Sequence, residues 1–359
     1  MTIAAFELSD AGESIGTAPA IIALMHSGSL SKAVSVAAEL GLADLLARGS
    51  MEVDDLAHRT HTHAPSLRRL LRALVAVGLC VEVADGRFAL TPAGTLLRSD
   101  TPHSLRSWIL WWGQYQWLEW ANLLHSVKTG ESARNLVSRA GGFEHLERNP
   151  HAAAIFNDAM VEMTRLVAGE VVRTYDFEGI GRIVDIGGGF GALAAAVLQA
   201  YPKMEGTIFD RPHAVEGARK LLVSAGVAER CNVVAGDFFE SVPAGGDAYL
   251  LKSIIHDWDD ERSLAILRNC RRAISQDGKV LLIERVVPVR LNPAPLHQAV
   301  VCSDLAMLVG PGGRERSVAE LETLLAGADF SLTRVLGTAV EYSILEATPG
   351  RRRGQTRPA

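Results

Sequence analysis

Three short stretches of this 359-residue chain set acids beside glycines or aromatics directly after apolar runs. Val184-Asp185-Ile186 leads into Gly187-Gly188-Gly189-Phe190-Gly191, where a strand would end in a glycine-dense turn before a helix. Such a loop lets backbone approach a ligand closely, and by itself it fits dinucleotide sites as well. Asp185 sits two residues before the first glycine, where a negative charge suits a cationic ligand better than a pyrophosphate. Asp210 ends the next apolar run, at the spacing of a carboxylate that accepts from ribose hydroxyls; a cap before Pro212 is the plainer role. Gly236-Asp237-Phe238-Phe239 follows a third run, an acid and an aromatic suited to an adenine amine and its ring. Three strand ends would then face the crevice where open α/β sheets bind ligands.

A fourth stretch, His256-Asp257-Trp258-Asp259-Asp260, offers a general base, or else only acids suited to the first turn of the following helix. Glu284 closes a later apolar run, on the strand beside the one leading to His256. Glu315 stands in Arg314-Glu315-Arg316, where a surface ion pair is the alternative. Asp304 faces a pocket or caps elsewhere. His58, His61 and His63 lack an acid or thiol at ligand spacing, so no metal is expected. Cys80, Cys231, Cys270 and Cys302 are scattered and read as free thiols of a reducing, cytoplasmic setting.

The elements that must hold these groups follow from periodicity. Residues 18–48 have helical spacing broken at Gly41, and 53–60 and 64–77 read as helices, the latter stopped by Gly78. Residues 79–83 and 87–90 flank an Asp85-Gly86 turn as a hairpin, and Thr91 is expected to open another helix. Helices followed by a hairpin make a winged-helix pattern. Arg68, Arg69 and Arg72 on 66–77 could face DNA, but Leu70, Leu71, Leu74 and Val75 argue for a packed helix. Five of the six tryptophans fall between Trp108 and Trp120, suited to a core, an interface or a pocket for a flat substrate. From Gly181 strands and helices alternate: strands at 183–186, 206–209, 231–235, 248–251 and 279–284, then a closing pair at 332–336 and 341–347. That order implies a largely parallel sheet covered on both faces. Apolar residues make up 48% and net charge is −5, so the chain reads as globular, with no field directed at nucleic acid or membrane. No run of about 18 apolar residues is expected to span a bilayer.

The stretches VDIGGGFGAL (184–193), GDFFESVP (236–243), LKSIIHDWDDE (251–261), IERVVP (283–288) and GGRERSVAEL (312–321) resemble the S-adenosylmethionine-dependent O-methyltransferases of the caffeic-acid/flavonoid type. The resemblance is nearest to bacterial members that modify aromatic natural products, and it covers all but the two tails. It implies an α/β fold: a Rossmann-like seven-stranded methyltransferase domain at 177–348, behind an N-terminal, mostly helical winged-helix dimerisation domain at 16–105. Residues 106–176 would form a helical linker with pocket helices, and 1–15 and 349–359 disordered tails, the second basic. It implies S-adenosyl-L-methionine as cofactor, with Gly187, Gly189 and Asp185 around its methionine part, Asp210 at the ribose, Asp237 and Phe238 at the adenine, and Lys252 nearby. His256 would be the base, flanked by Glu284 and Glu315. Trp112, Phe156, Met160, Met163 and Asp304 would line the acceptor pocket of a homodimer. Two alternatives carry different chemistry: a relative that has left O-methylation for N-methylation, hydroxylation, decarboxylation or pericyclic reactions, and a winged-helix regulator.

Overall fold

The computed structural model describes residues 17–138 and 143–350, so the expected tails fall almost wholly outside it. The chain divides into two compact units, residues 1–117 and 118–359.

The first unit runs α1 (Ala18–Glu39), α2 (Leu42–Leu46), β1 (Met51–Glu52), α3 (Val53–Thr60), α4 (Ala64–Ala76), β2 (Cys80–Ala84), β3 (Arg87–Leu90) and α5 (Arg106–Trp111). Gly41 takes φ +64°, a left-handed break that ends α1 and starts α2. The core gathers Leu42, Leu56, Leu67, Leu71, Leu74 and Phe88. Two details depart from expectation. A third strand, β1, pairs antiparallel with β3. Thr91 opens no α-helix: its Oγ1 donates to Gly78 O and accepts from Gly94 N, and only the 3₁₀ turn Gly94–Leu97 follows. Arg68 on α4 is tied to Glu82 and Asp85 of the hairpin, which spends on acids a charge that DNA binding would need. The tryptophan segment is helical but interrupted by a π-turn over Trp112–Gln116. Trp111 stacks on Tyr115 at 4.8 Å, and Trp112 meets Trp117 edge-on at 5.1 Å.

Contrary to the sequence reading, α1 is long and apolar enough to cross a bilayer, with mean hydropathy 1.3 over its best window. Most of its non-apolar positions are Ser and Gly, which cost little on that scale. Ile21, Ile22, Leu24 and Met25 are exposed along it.

The second unit adds, after α6 (Trp117–Trp120) at the division, α7 (Leu123–Thr129), α8 (Ala133–Ser138), α9 (Glu144–Arg148) and α10 (Pro150–Thr174). Then come β4 (Arg182–Ile186), α11 (Ala192–Ala200), β5 (Glu205–Asp210), α12 (Pro212–Val215), α13 (Ala218–Ser224), β6 (Cys231–Ala235) and β7 (Ala248–Lys252). It closes with α14 (Asp260–Ala273), β8 (Lys279–Arg285), α15 (Pro295–Val309), α16 (Val318–Gly327), β9 (Phe330–Gly337) and β10 (Tyr342–Pro349). The strands form one sheet in the order β6-β5-β4-β7-β8-β10-β9, parallel except that β10 runs antiparallel to both its neighbours. The inner strands are continuous apolar runs because helices cover both faces; Ile183, Val184, Leu250, Leu251, Leu281 and Leu282 are all buried. Parallel pairing puts the ends of β4, β5, β6, β7 and β8 on one rim.

Gly191, which joins the β4 loop to α11, combines φ +81° with a close approach: a Cβ there would lie 2.1 Å from Ile208 Cδ1. Gly191→Ala should therefore lower stability by about 1–3 kcal/mol. Thermal denaturation checks this, and an unchanged midpoint would show that the loop adapts at no cost.

Candidate active site

The rim of the sheet encloses a cavity of about 330 Å³. Asp185, Gly187, Gly189, Asp210, Asp237, Phe238 and Lys252 all line it, and Phe156 and Met160 of α10 complete one wall. The loop after β4 turns through glycines at positive φ, +68° at Gly187 and +55° at Gly189. It is pinned from the next strand. Asp210 Oδ2 accepts from Gly189 N at 2.8 Å, and Oδ1 accepts from Arg211 N at 2.7 Å. Asp237 Oδ1 accepts from Phe239 N at 2.8 Å, which sets the turn that carries both phenylalanines. Phe238 and Phe239 each meet Trp258 edge-on, and Asn269 fixes the Phe238 carbonyl at 2.6 Å.

Two cavity charges are poised by burial. Asp185 Oδ2 has no hydrogen-bond partner among the described residues; burial, with Asp210 adding repulsion, pushes its carboxyl up to about 7. Burial pulls Lys252 down to about 8, and its Nζ donates to Thr164 Oγ1 at 3.2 Å. A glycine cradle, an orphaned buried carboxylate and an acid with spare lone pairs beside it suit a ligand that brings both a cation and sugar hydroxyls.

His256 lies in a short turn between β7 and α14, and it is buried. Its Nδ1 is 2.9 Å from Glu315 Oε1 and 3.8 Å from Glu284 Oε2; its Nε2 is 3.6 Å from Asp257 Oδ1. The Glu315 contact assigns the proton to Nδ1 and leaves the Nε2 lone pair available in the neutral ring. Burial lowers the imidazole's pKa, but Glu315, Asp257 and Glu284 together outweigh it and lift it to about 9. Glu284 is pushed up to about 7 by burial, against the pull of His256. Burial acts the same way on Glu315, but His256, Ser303 and Arg285 override it and hold that carboxyl below its ordinary value. One donor atom from each of His256, Glu284 and Glu315 comes within 4.8 Å of the others, a hydrogen-bonded charge cluster in which Nδ1 is committed to Glu315.

The framework around His256 is mostly backbone. Glu284 Oε1 accepts from both Ile254 N and Ile255 N, at 3.1 and 2.9 Å. His256 O accepts from Arg314 N at 2.8 Å, an approach possible only because Gly313 has no side chain: a Cβ there would lie 2.0 Å from that oxygen. Arg316, wholly buried, donates to Ile255 O and Trp258 O and pairs with Asp260. Asp304 does not line the cavity; its Oδ1 accepts from Glu315 N at 2.8 Å, beside Ser303 Oγ donating to Glu315 Oε1 at 2.6 Å. Met163 also lies off the cavity wall, and Trp112 belongs to the first unit.

Sequence reasoning missed three contributors. Asp257 lines the cavity, where it was read only as a helix-start acid. Arg211 bridges Asp237 at 2.6 Å and Glu147 at 2.9 Å, so the cavity mouth is laced by ion pairs between distant segments. Ser253 has φ +54°, a left-handed non-glycine residue that nothing in its neighbours announces.

A seven-stranded sheet of this order, with a glycine cradle at its first strand and acids at the next two strand ends, defines a Rossmann-like methyltransferase domain. Residues 120–331 match the O-methyltransferase domain and residues 22–100 the O-methyltransferase dimerisation domain. The chain belongs to this family of S-adenosylmethionine-dependent O-methyltransferases. The "Phenazine O-methyltransferase PhzM" of Lysobacter antibioticus is 43% identical over 320 residues, covering 89% of this chain and 93% of its own. The structure of the mitomycin 7-O-methyltransferase MmcR superposes with TM-score 0.85 at 35% identity, over 92% of this chain and 97% of its own. The O-methyltransferase NcsB1 from neocarzinostatin biosynthesis, solved with S-adenosylmethionine and 2-hydroxy-5-methyl naphthoic acid, superposes with TM-score 0.76 at 36% identity, over 89% of this chain and 95% of its own.

Because the folded His256 pKa of about 9 lies above its ordinary value, its charge stabilises the fold fully below about 6.5. That contribution is lost as pH rises through about 9. The stability gap between the native chain and His256→Gln should accordingly narrow between pH 7 and pH 10, measured by urea denaturation; a gap that widens would contradict an imidazolium held by carboxylates.

Proposed function

We propose that the enzyme methylates a hydroxyl of an aromatic small molecule in secondary-metabolite, antibiotic-type biosynthesis, with His256 as general base. The observation that carries this reading is the buried His256, off the cavity wall, with Nδ1 on Glu315 and Nε2 3.6 Å from Asp257, which itself lines the cavity. S-Adenosylmethionine supplies an electrophilic methyl group on a sulfonium that leaves as a neutral thioether. Asp210 would accept from its ribose, Asp237 and Phe238 would hold and cover the adenine, and the Gly187–Gly189 turn with Asp185 and Lys252 would receive the remainder. Arg211 would release Asp237 Oδ2 for the adenine amine. Phe156 and Met160 support an apolar, flat acceptor nearby.

The energetic argument concerns the acceptor's proton. A model phenol near pKa 10 would cost an ordinary imidazole roughly 5 kcal/mol to deprotonate. An imidazole raised to about 9 narrows this to about 1.4 kcal/mol. The gain is realised only in the neutral ring, so strength is traded against availability at pH 7. The apolar face of α1 within the dimerisation match supports a homodimer, and four unpaired thiols support a cytoplasmic setting.

His256→Ala should reduce turnover by about 10²–10⁴ while cofactor affinity stays near normal. In the native enzyme kcat/KM should rise with pH towards about 9, and this limb should vanish in the variant. Near-normal turnover in His256→Ala would sink the base assignment. Asp210→Ala should weaken S-adenosylmethionine binding by calorimetry, and an unchanged affinity would remove the ribose role.

A further inference from the structure

The cluster around His256 has a counter-charge that its own motif does not supply. Arg285 follows Glu284 at the end of β8, and with His256, Glu284 and Glu315 it lines one small void. It is directly opposite Tyr342 in the β8–β10 register. Its guanidinium carbon sits 4.3 Å from the centre of the Tyr342 ring, and Nη2 donates to Glu341 Oε1 at 2.9 Å. Its Nε is buried and has no hydrogen-bond partner among the described residues. Two carboxylate oxygens, Glu284 Oε2 and Glu315 Oε2, are likewise buried without a hydrogen-bond partner among the described residues.

The charged groups around His256 come from several elements. Asp257 is its neighbour in sequence; Glu284 and Arg285 come from β8; Lys252 ends β7. Arg314, Glu315 and Arg316 come from the segment before α16, and Ser303 and Asp304 from α15. Arg134 acts on Asp257 from α8. Arg314 and Arg316 are committed to Asp260, and Arg134 to Glu119 at 2.5 Å. Lys252 is turned to Thr164.

We propose that Arg285 is a positioning residue for the methyl-transfer base: held on Tyr342 and Glu341, it supplies the buried cation that offsets Glu284 and Glu315 around His256 and so limits how tightly the imidazole holds its proton. Two carboxylates this close, out of water, resist joint ionisation unless a cation faces them. An arginine suits the place because it stays charged when buried and its plane lies on the tyrosine ring. The proposal rests on His256 being the base only for its catalytic meaning, since the charge arrangement itself is read without turnover.

The test is the titration of the His256 imidazole, followed by NMR in the full-length protein with labelled histidine and assigned by the signal lost in His256→Gln. At the pH where His256 titrates the carboxylates are already ionised, so loss of the cation must raise its midpoint. Arg285→Gln should move the midpoint up by about one unit, the usual size of a neighbouring charge's effect in a folded protein. Arg285→Lys should restore it. Tyr342→Phe, which removes the hydroxyl bonded to Ser253 but keeps the ring, should leave it in place. Should Arg285→Gln fail to fold, Arg285→Met, with its stem still packed on Tyr342, reads the same midpoint. An unmoved midpoint in the Gln and Met variants, or equal shifts in Lys and Gln, would overturn the proposal. Failure here would leave the base assignment standing, because that depends on the turnover of His256→Ala.

Discussion

The site depends on one carboxylate oxygen. Glu284 Oε1 takes the N–H groups of Ile254 and Ile255, and so dictates the path of the chain between β7 and His256. Both amides are buried, and an unpaired buried donor costs about 1–3 kcal/mol. The turn they occupy starts at Ser253 in the left-handed region, whose Oγ is bonded to Tyr342 OH. A left-handed serine costs energy and persists only where its surroundings impose it. Here the imposing contacts run between adjacent parallel strands. The β7–β8 pairing sets Lys252 beside Ile283, and the next residue on β8 is Glu284. Strand register therefore becomes imidazole position within a single residue step.

The same stretch of chain separates two electrostatic regimes. At the cavity, Asp185 and Lys252 are drawn towards neutrality because burial dominates them. A few residues on, His256 and Glu315 are held ionised despite comparable burial, because each has the other at 2.9 Å. What differs is the supply of partners, not the depth. At the cavity wall the pull of Lys252 on Asp185 is too weak to offset burial. An imidazole pressed between carboxylates has charge partners on more than one side. One side of the turn holds charged groups drawn towards neutrality at the cavity, and the other a buried imidazole tied to carboxylates.

Much of this was legible in the sequence. The strand ends could be read because buried parallel strands are uninterrupted apolar runs bounded by glycine and acid, and Asp185, Asp210 and Asp237 all fall on the cavity. Asp304 was placed on the pocket and instead holds the Glu315 backbone. Nothing local distinguishes a carboxylate that faces a ligand from one that faces an amide eleven residues away. Arg211, which carries no local signal in the sequence, bridges two segments through ion pairs of high sequence separation. The π-turn at Trp112–Gln116 and strand β1 escaped for a related reason: both are decided by packing and pairing, not by propensity. The hydrophobicity of α1 was underestimated because uncharged polar residues break an apolar run without making a helix hydrophilic.

The opposed requirements of the proposed base explain why its support is so extended. A carboxylate at Nδ1 strengthens the base, and a second at 3.8 Å strengthens it further, yet each added anion also tightens its hold on the proton. Burial sharpens both effects, since Coulomb terms grow as water is excluded. A site with anions alone would drift to one of two dead ends: a protonated carboxyl that no longer orients the ring, or an imidazolium that never becomes a base. Alternation of charge avoids both. From Glu341, just before β10, through Arg285 and Glu284 of β8 to Glu315 before α16 and His256 after β7, the signs alternate between segments far apart in sequence. No single motif contains that sequence of charges; the antiparallel insertion of β10 beside β8 creates it. The last strands of the sheet thus bear on the chemistry at its centre, by supplying the tyrosine platform and the acid that keep Arg285 in place.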